Sequence, residues 1–90
     1  MDRASFESAL RRDGFECREG STAPNEVRPA HAHDWDARLF ILEGEITLVI
    51  DGERHAYRPG DSCDVPAGTR HEEHIGATGV RYLAGRRPTA

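Results

Sequence analysis

The chain has 90 residues, 37% of them hydrophobic and 31% charged, with 12 Lys and Arg against 16 Asp and Glu for a formal charge of −4. This length leaves no room for a second domain, so residues 1–90 are expected to form one, with a helical part over 1–14 and a β part over 15–85. The basic residues are scattered apart from Arg11-Arg12 and Arg86-Arg87, which argues against nucleic acid as a partner, and no stretch is apolar enough to span a bilayer.

The N-terminus lacks the apolar run of a signal peptide, so the cytoplasm is the expected compartment. Phe6, Ala9 and Leu10 recur at helical spacing ahead of Gly14, and the spacing predicts a helix over residues 3–12. A first short strand is expected over Phe15–Glu19 and a turn over Ser21–Asn25. A second strand should carry Val27 into His31 and His33, and a bend follows at Asp34-Trp35-Asp36. If this second strand is extended, His31 and His33 point to one side, because side chains alternate with a period of two. Two imidazoles converging on a point suit a metal ion.

Arg38–Leu42 reads as a buried strand ending at Glu43-Gly44. Ile46–Ile50, Asp51-Gly52 and Glu53–Tyr57 form the clearest hairpin signal, with Leu48 opposite His55 and Ile46 opposite Tyr57. In that register His55 lies on the apolar side, as a packed, hydrogen-bonded histidine. Further strands are expected over Ser62–Val65, Arg70–Ile75 and Val80–Leu83, with Arg58–Asp61, Pro66–Gly68 and Gly76–Gly79 as turns. Short strands at this spacing indicate an all-β sandwich or small barrel. Cys17 and Cys63 have no C-x-x-C spacing and are expected to be reduced.

Two sets of residues resemble the motifs of the cupin family. His31, His33 and Gly44 match the first, and Gly60, Pro66, Gly68 and His71 match the second, with the Asp51-Gly52 hairpin between them. The resemblance covers roughly residues 24–85 and implies a small antiparallel jelly-roll barrel in which His31, His33 and His71 hold a divalent transition metal (Zn, Fe, Mn, Ni, Co or Cu). Three positions depart from the family pattern. Asn25 replaces a Gly and Ile75 an Asn, and Ala37 stands where the family has its metal-binding Glu. Glu73, two residues after His71, should share its inward face and is the candidate replacement, with an exposed Glu at the barrel mouth as the alternative. His74 and Asp36 are reserve ligands that would need a bulge or bend.

By the same parity Leu39 and Ile41 should line the cavity while Phe40 and Leu42 face outward. Trp35 is expected either to wall the cavity mouth or to pack on the barrel edge, and Tyr82 is similarly ambiguous. An apolar pocket with a few polar groups suits a small-molecule ligand or substrate. A homodimer could cover the sheet edges and the outer apolar face of Phe40 and Leu42, and the resemblance implies a dimer with exchanged N-terminal strands. Cupins include both enzymes and noncatalytic modules, so a ligand-binding or sensory role competes with catalysis, and no catalytic residue stands out.

Overall fold

The computed structural model describes residues 1–89. Helix α1 (Arg3–Arg12) begins where the Asp2 carboxylate accepts a hydrogen bond from the Ser5 N–H at 2.8 Å, and Arg11 and Arg12 occupy its last turn. Six strands follow: β1 (Glu16–Thr22), β2 (Val27–His31), β3 (Trp35–Ile50), β4 (Glu53–Tyr57), β5 (Ser62–Val65) and β6 (His71–Pro88). All pairings are antiparallel.

Three of these strands are longer than the sequence predicts: β1 takes in Ser21 and Thr22 of the expected turn, and β3 and β6 each join two expected strands. Arg38–Leu42 and Ile46–Ile50 are parts of the single β3, and Arg70–Ile75 and Val80–Leu83 are parts of the single β6. Gly76–Gly79, expected to be a turn, and Glu43-Gly44, expected to end a strand, form bulges instead, while turns do lie at Arg58–Asp61 and Pro66–Gly68. Between the pairs Gly44–Val80 and Ile46–Ile75, four residues of β6 lie opposite Glu45 alone. Gly44 and Gly79 both have positive φ, 77° and 81°. A Cβ on Gly44 would stand 1.9 Å from the Gly79 carbonyl oxygen, so the two long strands bend together where only glycine fits.

The bend divides the pairing into two sheets. One runs β1, the second half of β6, the first half of β3, then β5; the other runs β2, the first half of β6, the second half of β3, then β4. Ile41 and Val65 from the first meet Ile46, Leu48 and Ile75 from the second in the inner core. This is the expected jelly-roll arrangement, although its hydrogen-bonded sheet does not close into a complete ring. The hairpin register also agrees, with Leu48 opposite His55 and Ile46 opposite Tyr57.

The outer apolar face needs correction. Phe40 is 5% exposed and packs with Phe6, Leu10, Phe15 and Leu83, while Leu42 lies half-buried against this cluster. The chain covers this face with its own helix, so the face is not left for a second copy. A Cβ on Gly85 would come 2.6 Å from the Leu10 side chain, which means α1 lies directly on the β6 backbone. Arg38 and Arg87 stack on Phe15, with 4.3 and 4.5 Å to the ring centre, and Arg38 also binds Asp13 at 2.7 Å. Arg87 is thereby tied to the helix side of β6, and strand alternation turns Arg86 to the opposite, inner side.

Candidate metal centre

His31 closes β2 and His71 opens β6, and the two residues are paired across the strands. His33 lies beyond the end of β2, in the link to β3, so the extended strand carrying both histidines stops short of the second. The side chains nonetheless converge as expected. One ligand atom from each of His31, His33 and His71 lies within 4.8 Å of the others. His71 is buried and the other two are half-buried.

The hydrogen bonds fix which nitrogen faces the centre. His31 Nδ1 lies 2.7 Å from the Pro29 carbonyl oxygen and His71 Nδ1 lies 2.9 Å from that of Thr69. A carbonyl only accepts, so both Nδ1 atoms carry a hydrogen towards it and both Nε2 atoms face the centre. Glu73 Oε2 stands 3.2 Å from His31 Nε2 and 3.5 Å from His71 Nε2. Two imidazole nitrogens and a carboxylate that face one another can share a proton or hold a metal cation, and mixed N and O donors fit a divalent transition ion. Burial among the neighbouring histidines lowers the His33 pKa from its ordinary value, which favours the neutral form that a metal requires.

The reserve ligands are elsewhere. Asp36 accepts from the Ala67 N–H at 3.0 Å and from Arg87 at 2.9 Å, and these donors hold its carboxyl below the usual range. His74 pairs with Glu72 at 2.8 Å. His55 keeps its predicted strand position, but its side chain is 42% exposed and lies 3.6 Å from Glu53. It is therefore less enclosed than a packed core histidine.

Beside the three histidines is a cavity of about 120 Å³. Leu39, Ile46, Leu48 and Val65 form its apolar wall, and Ala37 leaves it open where the family would place a carboxylate. Leu39 lines the cavity as predicted, while Ile41 belongs to the inner core cluster and is not among its lining residues. Trp35 resolves to the cavity side: its ring stacks on His33 at 4.3 Å and 14°. Tyr82 also lines the cavity, with its ring laid over Gly20, where a Cβ would be 2.9 Å away. Sequence reading missed Arg28 and Arg86, both in the lining. Parity from Tyr82 through Ala84 would have reached Arg86, but the bulge at residues 76–79 breaks any count begun at His71.

Residues 19–84 match the cupin domain family. The chain is 37% identical over 65 residues to quercetin 2,3-dioxygenase of Bacillus subtilis strain 168, covering 71% of this chain and 19% of that protein. It is 40% identical over 50 residues to gentisate 1,2-dioxygenase of a Streptomyces species, covering 54% of this chain and 14% of that one. It therefore spans a fifth or less of the curated relatives it matches. The polyketide cyclase RemF of Streptomyces resistomycificus superposes with a TM-score of 0.71 at 29% identity, over 80% of this chain and 53% of that one. With the family match spanning most of its length and both histidine motifs brought to one point, the chain belongs to the cupin family.

Proposed function

We propose that this cupin holds a divalent transition metal through His31, His33, His71 and Glu73 and acts on a small organic molecule received by the adjoining cavity. The observation that carries the reading is the convergence of the three histidines, two with their Nε2 atoms 3.2 and 3.5 Å from the Glu73 carboxylate. Glu73 takes over, from β6, the role of the carboxylate that Ala37 lacks on β3. Bound there, a transition metal ion supplies Lewis acidity and, if redox-active, a centre for oxygen chemistry. The dioxygenase names of both curated relatives favour oxygen-dependent turnover.

The chain's own residues supply the rest. The Pro29 and Thr69 carbonyls orient two imidazoles, and Trp35 holds the third by stacking. Leu39, Leu48 and Val65 exclude water from the cavity's inner end. A noncatalytic ligand-binding or sensory module is the second reading. It is favoured by a lining that offers, among the described residues, no carboxylate besides Glu73 to serve as a separate acid or base. Self-association belongs to the proposal through another surface: β1 lies at a sheet end, and Glu16–Glu19 are exposed on both faces. A 10 kDa species in light scattering would reject the dimer.

The test is elemental analysis of protein purified without added metal or a histidine tag, beside the variant H31A/H33A/H71A. About one equivalent of a transition metal, lost in the variant, is expected from a closed ligand set. Oxygen uptake with a panel of small molecules then separates enzyme from binding module. Metal in neither protein, and none taken up, removes the metal-dependent reading.

A further inference from the structure

We infer that the molecule taken by this cavity is a small organic carboxylate, whose charged end is held by Arg86 at the mouth while its apolar body lies against Leu39, Leu48 and Val65. This rests on the reading of the cavity as a ligand site beside a metal centre.

Among the described residues Arg86, unlike most of the chain's arginines, has no charge partner, and its exposed side chain lies on an aromatic ring. Arg87, its neighbour, is bound to Asp36 at 2.9 Å, and Arg28, the other cationic group in the lining, is bound to Glu26 at 3.1 Å and lies 3.8 Å from Glu73. Among the described residues no carboxylate lies within 4.0 Å of the Arg86 side chain, although Glu16 is its cross-strand neighbour. The guanidinium is instead held 4.3 Å from the centre of the Trp35 ring, which in turn stacks on His33 at 4.3 Å. Stacking of this kind costs a guanidinium none of its five in-plane donors. A planar fork of donors, laid on Trp35 at a cavity rim and open to solvent, suits a carboxylate.

The charge balance of the lining agrees. With Arg28 compensated by Glu26 and Glu73, Arg86 is the one uncompensated charge among the described lining residues, opposite in sign to the net −4 of the chain. A metal dication would add to that excess and draw anions towards the mouth. Size sets a further limit. A sealed apolar cavity of about 150 Å³ takes a benzene ring, so the 120 Å³ here admits a body of about one ring, with the carboxylate outside it at Arg86.

The test uses benzoate and its uncharged analogue benzamide as probes. Trp35 is the only tryptophan and touches Arg86, so its fluorescence reports occupancy directly. Binding is measured with and without one equivalent of zinc, whose own binding is followed by calorimetry. Benzoate is expected to bind about tenfold or more tightly than benzamide, as loss of a charge-assisted bidentate contact implies. R86Q should abolish that preference, and R54Q, altered at an exposed position on β4, should keep it. Equal binding of the two probes, a preference unchanged in R86Q, or no benzoate binding at millimolar concentration each overturns the inference. If zinc binds but the preference is missing, the carboxylate inference fails and the metal reading stands. If zinc does not bind but the Arg86-dependent preference persists, the metal reading fails alone.

Discussion

Replacing Glu73 with Gln tests the least conventional feature of the proposed centre, a carboxylate supplied from β6. The change preserves shape, and the new amide can donate to the His31 Nε2 lone pair 3.2 Å away, so the metal-free variant should fold normally. What it removes is one negative charge, on a side chain only 13% exposed, between two imidazole nitrogens. Opposite unit charges 4 Å apart interact by about 4 kcal/mol at an effective dielectric constant of about 20, and a dication doubles the attraction before its desolvation is counted. An outer partner of a metal ligand is worth roughly tenfold to hundredfold in affinity, and a direct ligand more. E73Q is therefore expected to weaken zinc by more than about hundredfold, equivalent to about 2.7 kcal/mol, in competition with a chromophoric chelator. A loss between about tenfold and hundredfold would demote Glu73 to a supporting hydrogen-bond partner. Affinity within about threefold of wild type, with the variant folded, would refute the four-ligand reasoning.

Other consequences follow from the same structure. G44A should cost more than about 3 kcal/mol in urea unfolding, because its Cβ would meet the Gly79 carbonyl, whereas G52A, also at positive φ but facing open space, should cost about 1 to 2 kcal/mol. Burial pushes the Cys63 thiol up to about 12, so a disulfide reagent at pH 8 should modify Cys17 first, in a fast phase that disappears in C17S. Asp36, held below its ordinary 3.8 by the Ala67 N–H and Arg87, contributes stability that is present above that value and lost as pH falls through its lower folded value. D36N should therefore be less stable than wild type at pH 7 and converge on it in denaturant titrations below about pH 4.

Much of the fold was legible because it is written in local patterns. The Asp51-Gly52 turn fixed the register of β3 and β4, and Phe6 and Leu10 at helical spacing placed α1. Glu73 could be reached from His71 because nothing interrupts the alternation between them. The bends were not legible, since a glycine in a turn and a glycine in a bulge look alike until the opposite strand is known. For that reason the sequence pattern places breaks at Gly44 and Gly76–Gly79, in strands that run through.

The sequence by itself determined the helix, the strand-forming stretches, the hairpin register and the histidines that converge, because these are written in local patterns. Tertiary structure alone decided that α1 covers Phe40, that Asp36 is committed to Arg87, and that Arg86 rests unpaired on Trp35 at the cavity mouth. Each of these is a contact between residues distant in sequence. Which contact wins depends on how the two long strands bend together at Gly44 and Gly79.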